Sequence, residues 1–160
     1  MTLATDTATL TSDPGKNLDA ACAAVTSEIA RTDSKASLLL AFDGAVLFGL
    51  AGLADKQLPL PAQLMGAAAA LALTAAAVLL LLVVRPNLGG RSPAPGSFPH
   101  WAQQDADTIR ASMDQDTRAA RIKKLSNIAV AKYARLARAI DTILTALALL
   151  LVAAALAVIG

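Results

Sequence analysis

Few side chains in this 160-residue sequence could make or break bonds, and their spacing argues against it. There is one histidine, His100, so neither a His-x-x-x-His zinc pair nor a histidine cluster can be built. A thiol nucleophile and its base would have to be Cys22 and His100, which nothing in the sequence brings together. The lone Cys22 cannot form an internal disulfide, and its simplest role is that of a small apolar residue. Gly44 and Gly49 have the spacing that opens a phosphate loop, yet no Lys-Ser/Thr pair follows and the segment is apolar. No strand pattern precedes a glycine-rich dinucleotide fingerprint. The expectation is a protein that is not an enzyme, with no cofactor and no metal site. Within a membrane-enzyme reading, only Asp43 would be a credible catalytic group.

The elements that would position such groups are three apolar runs, Ala36 to Ala54, Leu64 to Val84 and Thr142 to Ile159. Each is about the 20 residues that cross a hydrocarbon layer of roughly 30 Å. The middle run carries no ionisable side chain, so its helical backbone could lie in lipid with every internal amide paired. The others carry Asp43 and, at the edge of the last, Asp141. The composition is 56% hydrophobic and 16% charged, with the charges segregated between the runs rather than spread along helix faces. No cleavable signal peptide is read in the polar first 35 residues; the first crossing is the expected targeting signal.

Orientation follows from the basic residues near the spans, which are retained in the cytoplasm. Arg85 to Arg138 holds ten basic and four acidic residues, whereas the turn from Asp55 to Pro61 has only Lys56. The long segment is therefore expected inside. Three crossings then put the N-terminus inside and the C-terminus outside, in agreement with Lys16, Arg31 and Lys35.

Residues 1–12 are expected to be disordered. Asp13-Pro14 has the form of an N-cap followed by a first-turn proline, opening a helix over 13–35. Its apolar residues Leu18, Cys22, Val25 and Ile29 recur in steps of four, three and four, a heptad stripe. No breaker precedes Gly44, so the helix should run on into the first span, 36–54. Leu58 to Pro61 forms a tight connection to the second span, 64–84. The region 85–138 reads as a glycine- and proline-rich linker followed by a helical hairpin. In it Pro99 opens a short helix to about Met113, with Phe98, Trp101, Ile109 and Met113 on its apolar side. A final helix starts near Asp116, with Ile122, Leu125, Ala129, Tyr133, Leu136 and Ile140 on one face, and passes into the third span, 140–159. The fold class is thus all-α, an integral membrane protein with three transmembrane helices and a cytoplasmic helical stalk or bundle formed within one subunit or between subunits.

An ionised Asp43 inside the first span would cost on the order of 2.5 to 3.5 kcal/mol. It should either line a pore or water-filled seam, or be a protonated acid bonded to a threonine such as Thr74 or Thr145. Ser37, Ala41, Ala45 and Gly49 repeat every four residues and would let another helix come close, the basis for expecting a homo-oligomer. The basic face of Arg118, Arg121, Lys124, Lys132 and Arg135 suits anionic headgroups, an anionic ligand, or plain solvation.

Two blocks resemble the Pycsar transmembrane effectors, small bacterial antiphage membrane proteins. They are Arg31-Thr32-Asp33-Ser34-Lys35-Ala36, leading into Ser37-Leu38-Leu39-Leu40, and Lys124-Leu125-Ser126-Asn127-Ile128-Ala129-Val130-Ala131-Lys132-Tyr133-Ala134-Arg135-Leu136. The order of span, span, polar segment and span also matches, from about Ala20 to Gly160. The resemblance implies a multi-pass protein of the bacterial inner membrane. It implies a partner cyclase that makes a cyclic pyrimidine nucleotide, and an effector that then compromises that membrane. By position, Asp33, Lys35, Lys132 and Tyr133 correspond to the shared polar residues and are candidates for a gate or a static clasp. Asp33 would contact Lys132, with Tyr133 packed behind. The chain carries no recognisable cyclic-nucleotide-binding domain, so direct binding would fall to the cationic surface from Arg110 to Arg138. Lipid is an expected partner and nucleic acid is not. The competing function is a structural membrane subunit or scaffold that recruits a partner through its amphipathic helices.

Overall fold

The structure is a computed structural model that describes residues 13–53, 56–85, 97–113 and 116–159. The expected disorder of residues 1–12 and nearly all of the glycine- and proline-rich linker lie outside the described residues. So do the side chains of Phe98 and Met113. Among these residues five helices follow in order: α1 Pro14–Ala51, α2 Leu60–Val84, α3 Phe98–Trp101, α4 Ala106–Met113 and α5 Arg118–Ile159. There is no strand among the described residues.

The ends of these helices are set by local chemistry. Asp13 caps α1, its carboxylate accepting the Gly15 amide at 2.9 Å, with Pro14 in the first turn. The 38-residue helix then runs unbroken through the polar-to-apolar boundary and stops at Ala51, short of Ala54. Helix α2 starts at Leu60, ahead of Leu64, because Pro61 fits a first turn where its missing amide is not needed. Its 25 residues span about 37 Å at 1.5 Å per residue, enough to cross a bilayer. The single short helix expected from Pro99 to Met113 is two. The Asp105 carboxylate accepts the amides of Asp107 at 3.1 Å and Thr108 at 2.8 Å, which starts α4 afresh. The same bonds hold the Asp105 carboxyl below the ordinary aspartate range, Thr108 contributing most.

Helices α1, α2 and α5 pack on one another, and α3 and α4 contribute little to that packing. Helix α2 buries Ala62, Ala69, Leu73, Ala76, Leu80 and Val83, in steps of seven, four, three, four and three. Helix α5 buries Leu136, Ala139, Ile143 and Ala146, in steps of three and four. The half-buried stripe Leu18, Cys22, Val25 and Ile29 of α1 continues in register through buried Thr32, Ala36 and Asp43. One heptad seam therefore passes from the polar to the apolar half of the bundle without a phase change. The core is Ala36, Ala76, Leu80, Val83, Leu136, Ala139 and Ile143, with Leu39, Leu40, Leu79 and Leu147 packed around it. Alternating alanine with leucine or isoleucine keeps the axes close and fills the remaining space.

The α5 face lies inward as read at Ile122, Leu125, Ala129 and Leu136, and departs from that reading at two positions. Tyr133 and Ile140 are exposed, and Lys132 and Ala139 lie in the seam. An ion pair is what brings a lysine inward there.

Candidate functional site

Helices α1 and α5 are joined by polar contacts between residues whose numbers differ by 96 to 105 along the whole polar half. A constant offset means the two helices run parallel. Both pass from the polar end toward the apolar end, with α2 returning between them.

At the outermost rung, the Arg118 guanidinium donates to the Gly15 carbonyl at 3.0 Å and to the Asp19 carboxylate at 3.1 Å. It also grips both oxygens of Asp116 at 3.0 Å, the fork geometry in which arginine and carboxylate bind most firmly. Its hydrogen bonds to Asp116 and then Asp19 push the Arg118 guanidinium above its ordinary value, and the same contact holds the Asp116 carboxyl below the ordinary aspartate range. Cys22 sits beside this rung as a free thiol, its Sγ 3.9 Å from the Arg118 carbonyl.

Closer to the apolar half, Lys132 donates to Asp33 and the Tyr133 hydroxyl donates to Glu28 at 2.7 Å. Neighbouring residues on a helix point about 100° apart, so Lys132 enters the seam and Tyr133 flanks it. The Lys132 side chain is only 12% exposed and that of Asp33 34%, so water screens their attraction less than at a surface pair. Glu28 is held in turn by Arg31 at 3.2 Å, and buried Thr32 closes back on the Glu28 carbonyl at 2.8 Å.

The structure thus brings Asp33 and Lys132 together. Tyr133 is exposed and its hydroxyl reaches Glu28, a partner the sequence reading missed. The available signal was that Glu28 is the sole glutamate in the chain, one turn before Thr32 on the face turned to α5. Lys35 is exposed and has no ion-pair partner among the described residues.

Ten residues beyond Asp33, about 15 Å along the helix, Asp43 is fully buried, and neither carboxyl oxygen is hydrogen-bonded among the described residues. The threonines considered as partners are turned away. Thr74 donates to the Ala70 carbonyl at 2.8 Å and Thr145 to the Asp141 carbonyl at 2.9 Å, each on its own helix. A buried, unpartnered carboxyl group is a rare exception to the rule that buried polar atoms are bonded.

The basic residues divide. Arg118 is occupied by the clasp and Arg121 is exposed. Lys124 and Arg135 line a small cavity between the end of α2 and α5. A larger, mainly apolar cavity of about 620 Å³ opens at the other end of the bundle, where Leu50, Ala67 and Ala154 meet beneath Lys56.

Residues 17–159 match the Pycsar effector protein domain. The chain belongs to the Pycsar effector family. The match begins in the first turn of α1 and ends at the last residue of α5, so the clasp and Asp43 lie inside it. No curated protein and no solved structure matches the chain. As a Pycsar effector it is a membrane protein of antiphage defence, with three helices among the described residues long and apolar enough to cross a bilayer. The family is an effector family rather than a catalytic one.

Proposed function

We propose that this Pycsar effector impairs inner-membrane integrity when a partner cyclase makes a cyclic pyrimidine nucleotide, and that it does so as an oligomer. The N-terminus and the clasp lie in the cytoplasm and the C-terminus outside, the orientation favoured by the basic residues of 85–138. One observation carries the reading. The first and last helices are tied by exposed and half-exposed polar bonds just below their apolar stretches, while an unsatisfied carboxyl group waits inside the same seam.

In the clasped state Asp43 is sealed from water. Because the seam is continuous, rotation or sliding of α1 against α5 that breaks Asp33–Lys132 also moves Asp43 toward a neighbouring helix or a water-filled gap. Hydration of that carboxylate recovers part of its insertion cost and gives cations a polar path. A signal need only favour the unclasped state by its difference in affinity for the two states.

Assembly is supported by the outward direction of Ser37, Ala41, Ala45 and Gly49, all exposed, with open space beside Gly44 and Gly49. These small residues are not used in packing within the chain and offer a close approach to a second copy. The heptad stripe of α1 is turned onto α5, which counts against its use as a recruiting surface in the scaffold alternative.

The test is to induce the protein with and without cyclic pyrimidine nucleotide while a potential-sensitive dye reports the membrane potential. Depolarisation that requires both is the expected result. An unchanged potential in the presence of both would sink the reading in favour of a scaffold.

A further inference from the structure

A cavity of about 260 Å³ lies where the last turn of α2 meets α5. Lys124, Ile128, Ala131 and Arg135 follow one another on α5 at steps of four, three and four, so they share a face, and Asn127 and Lys132 flank it. Arg85, the residue that ends α2, closes the other side. Four cationic side chains thus surround one small space. No carboxylate lines it among the described residues. Lys132 is neutralised by Asp33, but Arg85, Lys124 and Arg135 have no ion-pair partner among the described residues. Like charges gathered around a partly enclosed space repel one another and focus a positive potential into it.

From this arrangement we propose that the cavity is a binding site for a phosphate ester group. Arginine and lysine donors with a side-chain amide are the set that phosphate oxygens accept from, and two guanidinium groups can each bind bidentately. The volume is below the roughly 300 to 1,000 Å³ typical of pockets that enclose a whole small molecule. It therefore holds the phosphate and its immediate ester and leaves the remainder of the molecule outside. Two sources share this chemistry: the headgroup of an anionic lipid and a soluble phosphate ester. Lys132 belongs both to this cavity and to the clasp, so an anion drawn into the cavity competes with Asp33 for the same ammonium. The proposal rests on the membrane-effector reading for the headgroup source alone.

The test uses the full-length protein in nanodiscs of phosphatidylcholine, with or without phosphatidylglycerol, and follows thermal unfolding as inorganic phosphate is added. A ligand that binds the folded state raises the transition temperature. A rise with phosphate in phosphatidylcholine discs supports the site and assigns it to soluble esters. A rise with phosphatidylglycerol alone supports it and assigns it to lipid headgroups. No rise with either probe overturns the proposal. The double variant Lys124→Gln/Arg135→Gln should weaken the apparent affinity by about ten-fold or more. Arg121→Gln/Lys123→Gln removes the same charge outside the cavity and should change it less than about two-fold. Equal losses in the two double variants would mean diffuse attraction and would also overturn the site. The exchange Lys124→Arg/Arg135→Lys should preserve binding. Asp33→Asn, which releases Lys132, should tighten it by about ten-fold, and an unchanged affinity would remove Lys132 from the site. These readouts involve neither depolarisation nor signalling, so the site and the effector reading can fail separately.

Discussion

Asp33 and Asp43 stand ten residues apart on the same helix, and both turn toward the other long helices. The first meets Lys132 from α5; the second meets no polar partner among the described residues. The paired acid lies at the polar end, where a third of its surface still reaches solvent and the bond can be remade with water if it breaks. The unpaired acid lies in the apolar half, where no such exchange is open. The comparison shows where the bundle is secured and where it carries an unfavourable group. A membrane protein built only for rigidity would have the reverse preference, with leucine or isoleucine at position 43 continuing the seam.

The largest expected effect is at the unpaired acid. Asp43→Leu should stabilise the bundle by about 2.5 to 3.5 kcal/mol, the insertion cost of a central carboxylate, and should abolish nucleotide-dependent depolarisation. Unfolding in detergent and the dye assay check the two halves of that statement. A destabilised D43L protein would mean that the carboxyl group has a partner, and the contrast with Asp33 would vanish.

A smaller effect is expected at the paired acid. Lys132→Ala and Asp33→Ala, combined in a double-mutant cycle, should give a coupling energy of about 1.5 kcal/mol, the low end for a charged hydrogen bond because Asp33 is partly exposed. A weakened clasp should also lower the nucleotide concentration needed for depolarisation. Coupling near zero would reduce the pair to an ordinary surface contact.

The smallest effect belongs to Asp116, an exposed acid paired with Arg118, which extends the comparison into water. Its carboxyl titrates below the ordinary aspartate value of 3.8 because the folded state holds the charged form. Its contribution to stability is therefore fully present above that value and is lost as the pH falls through the lower, folded one. Carboxyl carbon chemical shifts followed through an acid titration should show this depression, and Arg118→Gln should reduce it, leaving the part that the residue 118 backbone amide supplies.

Much of this was readable from residue order. Asp13-Pro14 announced the start of α1, and the steps of three and four from Leu18 to Ile29 marked the face that meets α5. The pairing of Asp33 with Lys132 was anticipated from a family resemblance, which no local rule would have supplied. Two positions of the α5 face were misread because Tyr133 and Ile140 are the more apolar members of their turn, and periodicity ranks residues by polarity. Lys132 entered the seam on the strength of a partner 99 positions away. Arg85 escaped notice as a cavity-lining residue for a similar reason. It looks like a helix end, and only the return of α5 gives it Lys124 and Arg135 as neighbours.

By itself, the sequence determined what depends on transfer free energy and local geometry: helical class, three apolar stretches and the capped start of α1. Hydrophobicity and hydrogen-bond accounting act along the chain and require no knowledge of what lies across from each residue. The tertiary structure decided which charges are compensated. Electrostatic pairing depends on distances between helices, so packing alone gave Asp33 a lysine, gave Tyr133 the chain's one glutamate, and left Asp43 with no partner among the described residues.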